Sequence, residues 1–168
     1  MPSGSDVYRH IAEQTREIVG DAIVGVGAFE PASKTLATCA VLGLGNLSEP
    51  LTTLLGCDIA RWRGRMTDEA LAALATARLL PIRGGLYELF FKQPPMGFSR
   101  WVERFCGLGA LFAIGLVTDG QLRGDVVICL RRGATLVNGG EIEAFAAQSA
   151  ALLAESSPRD HPSGRLPR

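Results

Sequence analysis

The stretch ALFAIGLVTDGQLRGDVVICLRR, residues 110–132, decides how this chain is put together. Two apolar runs flank Asp119-Gly120, a dipeptide that readily supplies the left-handed positions of a tight hairpin turn. With Gln121 closing a loop of two or three residues, the runs become antiparallel strands. A period of two then puts Leu122, Val126, Ile128 and Leu130 on one face of the second strand. Arg123, Asp125 and Arg131 fall on the other face with Val127 and Cys129.

C-terminal to the hairpin, Asn138-Gly139-Gly140-Glu141 fits a reciprocal cap, a cap residue followed by Glu at N3. It opens a helix whose Ile142, Phe145, Ala146, Ser149, Leu152 and Leu153 form one stripe. Past Glu155 the run SSPRDHPSGRLPR has almost no apolar content. Residues 156–168 are therefore expected to be a disordered tail or linker remnant, and residues 1–155 a single domain.

N-terminal to the hairpin, GGLYELFFKQPP (84–95) is the ambiguous piece. As a strand it mixes Glu88 and Lys92 with Leu86 and Phe90 on one face. As a helix it puts Leu86, Leu89 and Phe90 on one stripe, Tyr87 and Phe91 on a neighbouring one, and Glu88 and Lys92 in an outward i, i+4 pair. The helix sorts polar from apolar more cleanly, Pro94 and Pro95 end it, and Phe98, Trp101, Val102 and Phe105 continue the period in a second helix. Tyr87, Phe90, Phe91, Phe98, Trp101, Phe105 and Phe112 are seven of the eleven aromatics (two Trp, two Tyr, seven Phe). Burying one such side chain contributes roughly 1.5 to 3 kcal/mol against a total stability of roughly 5 to 15, so the group is expected to be covered by the sheet or by a partner.

Further back, Thr67 is placed to cap a helix with Leu71, Leu74 and Ala75 inward, Pro81 closes it, and LLPIR reads as a short strand. Ser48 is placed to cap LSEPLTTLLG, with Pro50 in its first turn and Gly56 as its stop. AIVGVGAF (22–29) and TLATCAVLGL (35–44) read as strands joined by a loop of hairpin length, and their near-continuous apolar character predicts a sheet covered on both faces. Val7, Ile11, Thr15, Ile18 and Val19 define an amphipathic helix over 6–19.

Bulk properties exclude several function classes. Seventeen basic residues balance seventeen acidic ones, so no global field draws the chain to nucleic acid or an acidic membrane. No segment approaches the apolar length of a membrane span and the start lacks a signal peptide's pattern, which predicts a cytoplasmic protein. Cys39, Cys57, Cys106 and Cys129 stand apart without a CxxC pair, and His10 and His161 lie on terminal segments. A zinc site and a Cys-His or Ser-His-Asp centre are therefore not expected.

The element order is a helix, a hairpin, a helix-rich middle, a second hairpin and a last helix. It gives an α+β fold with terminal helices on one sheet face and the middle segment on the other. In that order over residues 5–155, and most specifically in IGLVTDGQLRGDVVICLRRGATLVNGGEIEAFAAQSAALL, the chain resembles the GAF domain family. The middle, GGLYELFFKQPPMGFSRWVERFCGLGALFAIGLV, is similar to the version in sensor regions of archaeal and bacterial histidine kinases.

The resemblance implies a cytosolic sensor module in two-component or related signalling. A small molecule would bind between the sheet and the 57–107 segment, and the module would dimerise through helices 6–19 and 140–155. A histidine kinase or another signalling output domain would be its partner. It does not extend to the cyclic-nucleotide type, whose Asn-Lys, Phe, Asp-Glu signature is missing. Haem and covalent bilin are also disfavoured, because the histidines lie outside the expected pocket and no cysteine is followed by His. The cofactor stays unknown. For the ligand, Trp62, Tyr87, Phe90, Phe91 and Trp101 are the candidate apolar walls, and Arg65, Arg83 or Arg100 the candidate donor fork. The expected role is not enzymatic, with two alternatives kept open. One is a ligand-free dimerisation module, and the other is free-methionine sulfoxide reduction through Cys57 and Cys106.

Overall fold

A computed structural model describes residues 4–156; of the expected tail over 156–168, Ser156 is the last residue of a helix, and 157–168, with His161, lie outside the described residues. Six strands form one antiparallel sheet: β1 (Ala22–Glu30), β2 (Thr35–Leu42), β3 (Arg63–Arg65), β4 (Leu80–Pro81), β5 (Leu108–Thr118) and β6 (Gln121–Arg131), in the order β3-β2-β1-β6-β5-β4. The β5–β6 turn has the anticipated chemistry, with Asp119 at φ 51° and Gly120 at φ 70°, both left-handed.

The helices are α1 (Gly4–Val19), α2 (Ser48–Leu55), α3 (Asp68–Leu74), α4 (Gly85–Leu89), α5 (Met96–Phe105) and α6 (Gly139–Ser156). Helices α1 and α6 pack side by side on one sheet face. There Ile11, Ile142, Ala146, Ala150 and Leu153 meet Val24, Val26, Ile114, Leu116, Val126, Ile128 and Leu130. On the other face Leu51 and Leu54 of α2, Leu86 of α4 and Val102 of α5 close over Ile23, Leu111 and Cys129. Helix α3 covers a third cluster, of Leu36, Met66, Leu74, Ala113 and Leu122.

The last cluster corrects one face assignment. Leu122 does not share a face with Val126, because the pairing shifts between Leu116↔Gly124 and Val117↔Leu122 and leaves Arg123 as the extra residue. A bulge reverses the side-chain parity beyond it, so Leu122 turns to the α3 side.

Capping differs in part from the sequence pattern. Thr67 accepts the Ala70 N–H at 3.1 Å as expected. Ser48 is itself helical, because a 3-10 turn at Gly45–Leu47 runs straight into α2 and Leu47 takes the cap position. The Asn138 side-chain amide donates to the Ile18 carbonyl at 2.9 Å and ties the start of α6 to the end of α1. It satisfies an orphan carbonyl of the neighbouring helix. Ala75 and Leu152, both expected inward, are exposed.

The predicted helix over GGLYELFFKQPP forms as α4, with Lys92 Nζ 3.7 Å from Glu88 Oε1. The expected cover over the whole aromatic group does not. Trp101 is 51% exposed and Phe105 71%, and Phe98, Trp101 and Phe105 stack on one another along the outer face of α5. At i, i+3 and i, i+4 spacing Phe98, half-buried against the core, starts a stack that Trp101 and Phe105 carry out to the surface.

Candidate functional site

Strands β1 and β6 supply the floor of a cavity of about 80 Å³, through Ile23, Gly25, Gly27, Asp125, Val127 and Cys129. Its roof is Leu47, Leu51, Ile59, Trp62, Leu86 and Phe90. Next to it, a cleft of about 420 Å³ opens between α3, β4 and α4 and is lined by Ala70, Leu74, Ile82, Arg83, Phe91 and Lys92. Leu89 and Asp125 border both spaces.

Local backbone choices shape the roof. Trp62 meets Phe90 edge-on at a centroid distance of 4.9 Å and Phe91 at 5.9 Å. Gly64 makes room for the indole, since a Cβ there would collide with the Trp62 ring. Gly85 takes φ +63°, and the Glu103 carboxylate of α5 accepts the Leu86 N–H, which fastens the start of α4 to α5. At the other end of α4, Phe91 (φ 54°) and Lys92 (φ 60°) are both left-handed, and the Lys92 N–H closes on the Tyr87 carbonyl at 2.8 Å. A bulky residue in that region costs roughly 1–3 kcal/mol. The contact of Phe91 with Trp62 offsets part of that strain and holds the ring between cavity and cleft.

Asp125 is the polar centre of the site. It is 5% exposed, and its neighbours across β1 and β5 are Gly27 and Gly115. A Cβ on Gly27 would stand 2.6 Å from Asp125 Oδ1, and one on Gly115 would clash with the Leu74 carbonyl at the end of α3. The glycines therefore leave room for the carboxyl on one side and for α3 on the other. Burial pushes the Asp125 carboxyl up to about 7, with the Gly27 N–H pulling the other way. Among the described residues no ion pair reaches it.

The sequence-predicted residues divide. Trp62 and Phe90 roof the cavity, and Arg83 and Phe91 line the cleft. Tyr87 is half-buried on α4 and borders neither space. Arg65 is exposed on β3, and Arg100 and Trp101 are exposed on α5, away from both. Sequence reasoning passed over Asp125 and Leu89 as site residues. The signal for Asp125 was the period of two, which set a carboxylate on the same face as Val127 and Cys129.

The thiols give the site little redox chemistry. Cys57 and Cys106 border neither space. Cys129 does, and burial pushes its thiol up to about 12, so it stays protonated and poorly nucleophilic. Among the described residues no group of three or more His, Cys, Asp or Glu could hold a metal ion. His10 is exposed on α1, across the sheet.

No family model and no curated protein matches the sequence. Solved structures do. The GAF domain/HD domain protein from Geobacter sulfurreducens superposes with a TM-score of 0.67 at 15% identity, over 96% of this chain and 99% of that one. The second GAF domain of DevS from Mycobacterium smegmatis gives 0.60 at 16%, over 91% and 94%. A domain of a two-component sensor histidine kinase protein from Sinorhizobium meliloti 1021 gives 0.59 at 15%, over 92% and 93%. Six antiparallel strands between a layer of terminal helices and a layer of inserted ones, matched over nine-tenths of the length, establish that this chain has the GAF-type fold.

Proposed function

We propose that the chain is a non-enzymatic sensory module that binds a small molecule between its sheet and the 57–107 segment. The observation that carries this reading is the hollow over β1 and β6, apolar apart from Thr38 and a buried carboxyl, beside an open cleft that shares two wall residues with it. Ligand sites have this character, concave and apolar with few convergent polar groups. The solved neighbours include a DevS GAF domain and a sensor histidine kinase domain, which favours a sensory role with a kinase or another signalling domain as output. Helices α1 and α6 lie side by side across the sheet from the cavity, so a ligand-dependent shift of β1 reaches α1 and a shift of β6 reaches α6. Pairing of these helices with a second copy is the proposed relay.

A thermal-shift screen over amines, carboxylic acids, nucleotides and tetrapyrroles tests the binding role. A ligand at 100 times its dissociation constant adds roughly 2.7 kcal/mol of stability, so a true ligand gives a saturable shift. Silence across a broad library sinks the proposal. A concentration-independent monomer in solution would remove the dimeric relay but leave binding intact. One observation favours a second reading, an interaction module. The stacked Phe98, Trp101 and Phe105 on α5 present an apolar surface to a macromolecular partner.

A further inference from the structure

Asp125 is a carboxyl group at the junction of a largely apolar cavity and a cleft that also carries Thr67, Glu69, Arg83, Glu88 and Lys92. Around it the cavity presents Ile23, Val41, Trp62, Phe90 and Val127, and the cleft presents Leu74, Ile82, Phe91 and Ala113. We propose that Asp125 anchors the ammonium group of a small apolar amine whose body lies in the cleft. This rests on the binding role proposed above and adds the ligand's chemistry.

Three observations converge on a cation. First, Asp125 has a single backbone donor, the Gly27 N–H, and no ion pair among the described residues. A carboxylate has about four acceptor positions, so it can take further N–H donors from a ligand. An anionic ligand would bring like charges together in a desolvated site, and a ligand without a donor would leave the carboxyl's acceptors unmet. Second, the Leu74 carbonyl ends α3 directly over Gly115, the β5 partner of Asp125. The negative end of a helix favours a positive group. Third, Trp62 and Phe90 line the cavity that Asp125 also lines, and aromatic rings attract an ammonium ion.

Size sets the orientation. An apolar cavity that holds benzene is about 150 Å³. The cavity over β1 and β6, at about 80 Å³, is too small for a ring, whereas the cleft has about 420 Å³. The ring or alkyl body therefore packs against Leu74, Ile82 and Phe91, and the ammonium head passes Leu89 to the carboxyl. Apart from Asp125, the cleft lining carries two cations and two carboxylates, Lys92 paired with Glu88 and, beside them, Arg83 and Glu69, so its charges balance and do not bar an incoming cation.

Calorimetric titration of the full chain at pH 8, where the Asp125 carboxyl is ionised, with phenethylamine, 2-phenylethanol and phenylacetate tests this, because the three share a body and differ in the head group. Phenethylamine is expected to bind about tenfold or more tighter than the alcohol, the range for a charge-assisted hydrogen bond, and phenylacetate weakest of all. In Asp125→Asn the amine preference should collapse to about unity. Equal or tighter binding of the alcohol or the acid by the wild-type chain overturns the proposal, and that comparison stands even if the variant fails to fold. An amine preference that survives in a folded Asp125→Asn overturns it as well. Hits confined to neutral or acidic compounds in the wider screen refute the amine anchor and leave the binding role standing. A screen with no hits refutes both.

Discussion

The two faces of the sheet solve the same packing problem in opposite ways. Beneath α1 and α6 the strands present Val24, Val26, Ile114, Leu116, Val126, Ile128 and Leu130, and the helices fill the space between them with aliphatic side chains. Beneath α2, α3 and α4 the same strands present Gly25, Gly27, Gly115 and Asp125, and a hollow remains. One strand can be filled on one side and hollow on the other because side chains alternate, so β6 commits Val126 and Ile128 to the first face and Asp125 and Val127 to the second. Packing in the filled face, added to the clusters beside the hollow, offsets the groups around Asp125 that cost stability.

That contrast can be broken at its most expensive residue. The Asp125 carboxyl holds its proton to about pH 7 in the folded chain, against an ordinary value of 3.8. Below about pH 4 the group is neutral in both states and carries no penalty. As pH rises from 4 to 7 the unfolded chain ionises first, so the folded state loses stability, by about 4 kcal/mol over the window. Asp125→Asn should remove this slope, so urea titrations at pH 4 and pH 8 should show the variant gaining on wild type with rising pH. Parallel pH profiles would mean that the carboxyl is not held in an apolar site.

The next effect compares the faces directly. Ile114→Ala, beneath α1 and α6, should cost about 3 kcal/mol in urea unfolding, because it opens a void in a filled core. Leu89→Ala, on the wall shared by cavity and cleft, should cost about 1 kcal/mol, since that side chain is only half-buried and already borders empty space. Similar losses at the two positions would erase the distinction. The smallest expected change lies at the lip of the cleft. Thr67→Ala removes the α3 cap and should lower stability by about 0.5–1 kcal/mol, and amide exchange over Asp68–Leu74 should speed up if α3 closes the cleft locally.

The fold was legible because its signals are local. Asp119-Gly120 fixes the β5–β6 hairpin, Thr67 caps α3, and the i, i+4 sorting of Glu88 and Lys92 distinguishes α4 from a strand. Features that depend on a partner across the sheet or across helices were not. Leu122 changed faces because of a bulge, and Asn138 turned to Ile18 of another helix, neither of which has a signature in its own neighbours. The candidate site was legible in half. Counting aromatics found Trp62, Phe90 and Phe91, but gave the same weight to Trp101, which stacks half-exposed between Phe98 and Phe105 on α5. Hydrophobicity alone does not tell a ring that lines a hollow from one that stacks on a surface. Asp125 needed the register, because only the pairing of β6 with Gly27 and Gly115 shows why a carboxyl has space there.

The chain's two tryptophans fall on either side of that divide, Trp62 at 7% exposure in the cavity roof and Trp101 at 51% on α5. An indole in an apolar roof emits at shorter wavelength and is sheltered from iodide, whereas one open to water emits further to the red and is quenched. The molecule therefore has its own optical gauge of occupancy. In Trp101→Phe the remaining emission comes from the residue over the cavity alone, and a guest beside Asp125 changes its colour without any added dye.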